Sequence, residues 1–155
     1  MGRTNILIVV KTYPEISRKY TETVCTAGVL ADSKTFVRLY PIRFRYLEGA
    51  LKFKKYQWIR ANITKATSDP RPESYNIAPD SIELGDIIKA DKTWEERCAW
   101  LLNENTIFPS VEALRVAQET DGTSLGIVKP KIVNRVIIHQ RDSKEVEKAI
   151  AKKIA

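Results

Sequence analysis

The first apolar stretch of the chain is continuous rather than alternating. Residues 5–11 read Asn-Ile-Leu-Ile-Val-Val-Lys, and a β-branched run between polar ends predicts a strand buried on both faces. The polar segment 12–21 contains a proline and predicts a loop. A second strand is expected at 22–31, and the sequence Ala-Asp-Ser-Lys at 31–34 is typical of a turn. This turn predicts that the second strand forms a hairpin with a third strand at 35–40.

A strict alternation marks the third strand and predicts which of its faces is buried. Phe36, Arg38 and Tyr40 fall on one face, whereas Val37 and Leu39 fall on the other. The aliphatic face belongs in the core. The opposite face therefore carries an arginine between two aromatic rings.

A fourth strand is expected at 56–67, with the same kind of pattern. One face carries Trp58, Arg60, Asn62 and Thr64, and the other carries Ile59, Ala61, Ile63 and Lys65. An aromatic ring and an arginine again lie opposite aliphatic side chains, so this strand should also present a basic, aromatic face.

The second half of the chain predicts helices between short strands. Thr93 and the glutamate three residues later have the spacing of a capping box, so a helix should begin there and run to about residue 103. Ser110 should begin a second helix that ends near residue 118. Strands are expected at 125–128 and 131–140, and a last helix at 144–154.

Charge is segregated along the 155 residues, whose formal net charge is +7. Residues 1–66 carry 13 lysines and arginines against 4 acidic residues, a net charge of +9. Residues 67–126 carry 5 basic and 12 acidic residues, a net charge of −7, and residues 127–155 carry +5. A fold that keeps these blocks on separate faces has a polarised surface, whose positive side attracts polyanions.

Aromatic residues are concentrated in the same basic block. Nine of the thirteen precede residue 60, with lysines and arginines among them. Basic side chains neutralise phosphates and aromatic rings stack on bases, so this combination predicts nucleic-acid binding. The alternative is that the rings form the core of a small β domain and the charges form a solvated rim.

The candidate nucleic-acid-binding residues come from the two alternating strands and from the basic segments beside them. One of these segments, 43–55, reads as either a short helix or an irregular loop. The full set is Lys11, Arg18, Lys19, Phe36, Arg38, Tyr40, Arg43, Arg45, Lys54, Lys55, Trp58 and Arg60.

Common sequence signatures of catalysis, nucleotide loops and metal binding are missing. The chain has neither the GxGxxG nor the GxxxxGK[ST] pattern, and no GxSxG elbow. Its two cysteines, Cys25 and Cys98, form no CxxC pair, which excludes a zinc knuckle. We therefore expect no enzyme activity, no cofactor and no metal site. A phosphate-cleaving role for Lys11, Arg38 or the single histidine, His139, stays open.

Three short motifs together resemble a bacterial family, the dual OB-containing domain. They are Ile8-Val9-Val10-Lys11 on the first strand, Cys25-Thr26-Ala27-Gly28 on the second and Phe36-Val37-Arg38-Leu39 on the third. Residues 124–130 resemble, less closely, the start of that family's second barrel. Phe36 stands where the family usually has tryptophan, and Pro41 lies further from Arg38 than in the family's pattern. The resemblance implies two small packed β-barrels, a nucleic-acid or nucleotide ligand, and a sensor or adaptor role in phage defence.

The expected fold class is α+β with mainly antiparallel strands. We expect one or more OB-like small barrels, with two or three helices in the middle and at the C-terminus. OB-type barrels bind single strands or irregular nucleic acid with basic and aromatic residues of this kind. The chain should form one compact module over 1–155. Possible sub-units are a first OB-like barrel at 1–90, and a helical insert with a second partial barrel at 91–155.

The predicted function is non-catalytic binding of single-stranded or structured RNA or DNA, in a cytoplasmic protein without a membrane partner. The apolar run at 5–10 is too short for a signal peptide or a membrane span. A larger defence complex or a second copy of the chain are further expected partners. The main alternative is a protein-interaction module that self-associates or docks a partner through the acidic segment 67–126.

Overall fold

Short strands dominate the computed structural model, which describes residues 2–12, 15–17, 21–23, 26–42 and 52–138. The elements in chain order are β1 (Gly2–Lys11), β2 (Glu15–Ser17), β3 (Thr21–Thr23), β4 (Thr26–Leu30), β5 (Phe36–Tyr40), β6 (Gln57–Lys65), β7 (Ser74–Ile77), β8 (Glu83–Ile87), α1 (Glu95–Leu101), β9 (Ile107–Phe108), α2 (Val111–Asp121) and β10 (Ile127–Val128).

Five of these strands close into a barrel. The strand order is β1-β4-β5-β7-β6, and β6 pairs back with β1 to complete the circle, while β8 adds to β6. Barrel neighbours are antiparallel except β5 and β7, which are parallel. Counted along the chain, the five barrel strands have the closed order 1-2-3-5-4-1, which is consistent with an OB-like small barrel. The prediction of an α+β fold with mainly antiparallel strands is confirmed.

The barrel interior contains the aliphatic faces that the alternation predicted. Val37 and Leu39 of β5, and Ile59 and Ala61 of β6, are at most 1 % exposed and belong to one core cluster. Apolar side chains of this kind supply most of the driving force for folding. Lys65, which the alternation placed on the same face, lies at the end of β6 and is exposed, because a long cation at a strand end can reach water.

Gly28 allows β1 and β4 to approach closely. A Cβ atom at this position would lie 2.5 Å from Cγ2 of Ile6 and 2.7 Å from the carbonyl oxygen of Leu7. Because one of these atoms is backbone, a side chain at residue 28 would force the two strands apart. The close contact explains why glycine occupies a buried strand position, where it is otherwise unfavourable.

The outer surface of the barrel is covered in its middle by helix α1. Four side chains form a row across β6, β1, β4 and β5, because each pairs with the next across neighbouring strands. The row is Trp58-Leu7-Val29-Phe36. These side chains form a second apolar cluster with Ile88, Trp100 and Leu101. The helix thus buries the centre of this outer surface and leaves both ends of it open.

Of the two predicted helix caps among the described residues, one is confirmed and one is wrong. Ser110 caps α2, and its Oγ accepts a hydrogen bond from the backbone N–H of Ala113 at 3.1 Å, as predicted. The prediction that Thr93 caps α1 was wrong. Asp91 Oδ1 instead accepts from the N–H groups of Thr93 and Trp94, and the helix begins at Glu95 after Trp94 in a left-handed conformation.

The end of the described chain contains little regular structure. Of the strand predicted at 131–140, residues 131–138 form no regular element, and residues 139–140 lie outside the described residues. The predicted last helix, 144–154, lies outside the described residues. Among those that are described, no helix has the length and apolar composition needed to cross a lipid bilayer.

Candidate nucleic-acid interface

Two open regions of the barrel surface lie on either side of the row that helix α1 covers. One is a groove of about 180 Å³ lined by Val10, Thr12, Thr26, Ala27, Arg38 and Leu125, which we call the β4–β5 groove. The other is a cavity of about 540 Å³ on the other side of the row, lined mainly by β6, β8 and Trp100, which we call the tryptophan cleft. The two regions share no lining residue.

The floor of the β4–β5 groove follows directly from strand register. Val10 pairs with Ala27, and Ala27 pairs with Arg38, so these residues lie side by side across β1, β4 and β5. The strand β1 has an irregularity between Ile8 and Val10, which shifts the last part of the strand by one residue. Val10, left 44 % exposed, thereby stands on the outer surface beside the small side chain of Ala27.

Thr26 contributes a buried hydroxyl to the groove lining. The residue is 3 % exposed, and its Oγ1 atom has no hydrogen-bond partner within the described part of the chain. Buried polar atoms are satisfied in most native structures, so an unsatisfied one marks a position where a further group is expected.

Arg38 lies at the edge of the groove and is held in place there. Its Nη1 donates to Oγ of Ser124 at 3.0 Å. Ser124 in turn donates from its backbone N–H, at 2.7 Å, and from its hydroxyl to Oε1 of Glu73. Glu73 is 7 % exposed, and its carbonyl oxygen also accepts from the backbone N–H of Arg38 at 2.7 Å. This network fixes the direction of the guanidinium group and places Leu125 over the groove.

The two rings predicted beside Arg38 have different environments. Phe36 is half-buried and packs in the outer apolar cluster under α1. Tyr40, two residues beyond Arg38 on the same face, is 41 % exposed. Of the two, Tyr40 has the accessible ring surface that stacking on a base requires.

Three predicted lysines meet at one end of the barrel. Lys11 donates from Nζ to the carbonyl oxygen of Phe53 at 3.3 Å, and Lys54 and Lys55 follow Phe53 as exposed residues. Burial, and secondly the positive charge of Lys55, hold the pKa of Lys11 below its ordinary value of 10.5. Neighbouring cations repel each other, so an anion at this end of the barrel would be bound favourably.

Trp58 and Arg60, the other predicted pair, lie in the tryptophan cleft. The Trp58 ring packs edge-to-face against Trp100, with ring centroids 4.8 Å apart and planes at 82°. Arg60 is exposed and stands next to Asn5 of β1 and Glu83 of β8 in the sheet. Glu83 forms an ion pair with Arg3.

The structure therefore separates residues that the sequence placed on one surface. Arg38 and Tyr40 lie at the β4–β5 groove, the three lysines lie at the end of the barrel, and Trp58 and Arg60 lie in the cleft. Four further candidates, Arg18, Lys19, Arg43 and Arg45, lie outside the described residues.

Several lining residues were missed in the sequence. Ser124 and Leu125 come from a segment far along the chain, and no local pattern connects them with β5. Trp100 lies within the helix predicted to end at about residue 103 and was not singled out. Thr12 and Val10 follow an irregularity in β1 that residue periodicity does not reveal. The adjacent Thr123 and Ser124 after Gly122 were the one available signal, and they indicate a turn rather than a contact.

Within the part of the chain that the structure describes, no three His, Cys, Asp or Glu side chains come together as a metal-binding group.

A family model described as a domain of unknown function, DUF8758, matches residues 2–103. The chain belongs to this family. The matched region contains the whole barrel, β8 and the covering helix α1, together with every residue that lines the tryptophan cleft. It ends before Ser124 and Leu125, which complete the β4–β5 groove. Comparisons with curated proteins and with solved structures give no match.

Proposed function

We propose that this chain is a non-catalytic nucleic-acid-binding module built on an OB-type barrel. The β4–β5 groove and the lysine-rich end of the barrel bind the ligand, which is a single strand or an unpaired part of a folded RNA or DNA. The observation that carries the proposal is the position of the groove on the outer surface of the second and third barrel strands, with Arg38 at its edge.

The position of the groove matches the way OB-type barrels bind ligands. Such barrels bind oligonucleotides on the face of strands 2 and 3, next to the loops after strands 1 and 4. Here strands 2 and 3 are β4 and β5, which supply Ala27 and Arg38 to the groove. The groove therefore lies on the pair of strands that OB-type barrels use for binding.

The cations of this side suit a phosphate backbone. Arg38 is oriented by Ser124, and a preorganised guanidinium loses less side-chain entropy when it binds a phosphate. Lys54 and Lys55 are exposed and lie beside Lys11. Their charges would neutralise phosphates and release counterions, which is the main source of sequence-independent affinity.

Bases would be bound by stacking and by apolar contact rather than by pattern-specific hydrogen bonds. Tyr40, two residues beyond Arg38 on the same face, offers a partly exposed ring, and Val10 and Leu125 offer apolar surface in the groove. Stacking tolerates all four bases because each has a π face. The arrangement therefore favours a single strand with little sequence preference.

The test is an anisotropy titration with labelled single-stranded DNA, single-stranded RNA and duplexes of each, at several salt concentrations. We expect the single strands to bind most tightly. The double variant Lys54→Ala/Lys55→Ala should bind about tenfold more weakly and lower the salt slope by about 1.4, because each phosphate contact to a single strand contributes roughly 0.7.

A matched control is available in the same chain. Arg115 of α2 and Lys131 are both exposed and neither lines the groove, so Arg115→Ala/Lys131→Ala changes the net charge equally. This control should keep most of the affinity. An equal loss in both double variants, or no binding of any oligonucleotide at low salt, would contradict the proposal.

A second candidate function rests on helix α2. None of its residues is buried, and Val111 and Val116 are 57 % and 60 % exposed. Acidic residues interrupt this apolar surface, so α2 would suit a basic, partly apolar protein partner. Light scattering at low and high salt tests self-association of this kind; a monomer at both salt concentrations would exclude it.

The biological setting is also a proposal. If the chain shares the role that its resemblance to the dual OB-containing domain implies, it acts as a cytoplasmic sensor or adaptor in bacterial phage defence. Loss of protection against phage after a Lys54→Ala/Lys55→Ala substitution, in a host that carries the intact locus, would support this role.

A further inference from the structure

The tryptophan cleft is the larger of the two open regions on the barrel surface. Its volume of about 540 Å³ is typical of sites for small organic ligands, which are mostly apolar with a few polar groups at fixed positions. The space exists because two lining residues, Ala31 and Gly85, have very small side chains. A Cβ atom at Gly85 would lie 3.1 Å from Cβ of Trp58, so β8 runs directly along the tryptophan and forms one wall of the cleft.

The cleft has an aromatic corner. Trp58 and Trp100 meet edge-to-face at a centroid distance of 4.8 Å and an angle of 82°, and both are only half-buried. Their exposed ring surfaces therefore border the empty volume. Planar aromatic ligands are bound favourably at such surfaces through stacking and edge-to-face contacts.

Charges around the corner favour an anionic group on that ligand. Arg60 lines the cleft and is exposed, with no ion pair among the described residues. Lys34 holds its Nζ atom 5.3 Å from the centre of the Trp100 ring, which places a second cation beside the corner. The negative charge of Glu83 is balanced by its ion pair with Arg3. The remaining carboxylate, Asp86, is an acceptor for amino groups of a ligand.

A planar ring, an anionic group and exocyclic amino groups occur together in nucleotides. We propose that the tryptophan cleft binds a nucleoside monophosphate unit, with its base against Trp58 and Trp100 and its phosphate at Arg60. The unit is either a free nucleotide or the phosphorylated end of a strand. This site is separate from the proposed strand-binding groove, because none of the groove residues lines it.

The family match gives an independent reason to treat the cleft as a unit. Every residue that lines it lies within residues 2–103. The cleft therefore belongs entirely to the DUF8758 domain, whereas the groove also uses Leu125, which lies outside the matched region.

Isothermal titration of the full chain with AMP, GMP, CMP and UMP tests the proposal. At least one nucleotide should bind saturably and more tightly than ribose 5-phosphate, which lacks the base, and than the matching nucleoside, which lacks the phosphate. Short oligonucleotides with and without a 5′ or 3′ terminal phosphate then distinguish the two sources. Tighter binding of the oligonucleotide with a terminal phosphate indicates that the ligand is a strand end. If oligonucleotides with and without the phosphate bind equally, and more weakly than the mononucleotide, the ligand is a free nucleotide.

Variants locate the binding. Arg60→Ala should weaken nucleotide binding by about tenfold, since a charge-assisted contact is lost. The exposed Arg115 of α2 provides the matched control, Arg115→Ala, which should bind as the wild type does. Trp100→Leu should abolish binding, and Trp94→Leu, which changes a tryptophan outside the cleft, should not. Because Trp100 also packs on the barrel, circular dichroism must show that Trp100→Leu is folded; if it is not, Arg60→Ala alone decides.

Three results would overturn the proposal. The first is that no mononucleotide or terminally phosphorylated strand binds. The second is that ribose 5-phosphate binds as tightly as the nucleotides. The third is that the Arg60→Ala variant binds nucleotides as tightly as the wild type does. Failure of the groove is distinguishable from failure of the cleft. If the protein binds mononucleotides but the Lys54→Ala/Lys55→Ala variant binds strands as tightly as the wild type does, the cleft proposal stands and the groove proposal fails.

Discussion

Arg38 and Ser124, 86 residues apart in sequence, are joined by a 3.0 Å hydrogen bond between Nη1 and Oγ. This bond connects the third barrel strand to the segment after α2. It orients the arginine that the sequence singled out, and it places Leu125 beside the β4–β5 groove. The groove is therefore completed by a part of the chain beyond the barrel.

Removing the Ser124 hydroxyl should destabilise the fold. Ser124→Ala breaks the bond from Arg38 and the hydroxyl bond to Glu73, a nearly buried carboxylate. We expect a loss of about 1–3 kcal/mol in the free energy of unfolding, because buried charged groups lose a partner. Urea denaturation measures it. Ser68→Ala, at an exposed position, should change stability by less than about 0.5 kcal/mol; equal effects would contradict the role of the network.

A side chain at residue 28 should separate β1 from β4. The Cβ atom of Gly28→Ala would lie within 2.7 Å of the Leu7 carbonyl oxygen, which is backbone and cannot rotate away. We expect a destabilisation of about 1–3 kcal/mol, as for other overpacked sites. Gly2→Ala in the same sheet meets no atom within 4 Å and should be neutral. Thermal unfolding of both variants checks this, and a neutral Gly28→Ala would show that the strands are further apart.

Nucleic-acid binding should weaken at alkaline pH through Lys11. Burial and the charge of Lys55 lower the pKa of Lys11, so it loses its charge at a lower pH than an unperturbed lysine side chain does. The wild type should therefore lose affinity for an oligodeoxyadenosine strand earlier than Lys11→Arg, since arginine stays charged over this range. Anisotropy titrations from neutral pH towards 10.5 compare the two. Parallel pH profiles would mean that Lys11 does not contribute charge to the ligand.

Stability at acid pH should depend on Asp69. Hydrogen bonds from Arg71, which is the largest cause, and from Ser74 hold the pKa of Asp69 well below its ordinary value. A carboxyl group whose pKa is lowered on folding stabilises the protein fully above its unfolded pKa of about 3.9, and this stability is lost as the pH falls below that value.

The variant Asp69→Asn should therefore lose about 1 kcal/mol at neutral pH and less at pH 2–3, because its partly exposed ion pair is screened by solvent. Urea denaturation at a series of pH values measures the difference from the wild type. Asp80→Asn, which alters an exposed carboxyl elsewhere, is the control. A constant difference at all pH values would contradict the assignment to Asp69.

The barrel core could be predicted from sequence because its pattern is local. Alternation with a period of two assigns Val37, Leu39 and Ile59 to one side of their strands, and a barrel needs an inside of that kind. The outer surface could not be predicted in the same way. Phe36 and Trp58 have the same alternation as Tyr40, yet a helix from residues 95–101 covers the first two, and no local pattern shows which strand face a distant helix will cover.

Two neighbouring side chains, Thr93 and Asp91, compete to accept hydrogen bonds at the start of α1. Thr93 has the spacing of a capping residue, but Asp91 accepts from the N–H groups that follow it. Both residue types form such side-chain turns, and their relative strength depends on the backbone conformation before the helix. The sequence alone therefore predicted a helix in the right place with the wrong cap.

Amide chemical-shift mapping of the full chain with a short single strand at low salt tests the central claim most directly. We predict saturable shifts that cluster at the β4–β5 groove and the lysine-rich end of the barrel, namely at Thr12, Ala27, Arg38, Tyr40, Lys54 and Lys55. They should disappear as salt is added, since phosphate contacts release counterions. The absence of saturable shifts, or shifts confined to α2, would contradict the assignment of nucleic-acid binding to this surface.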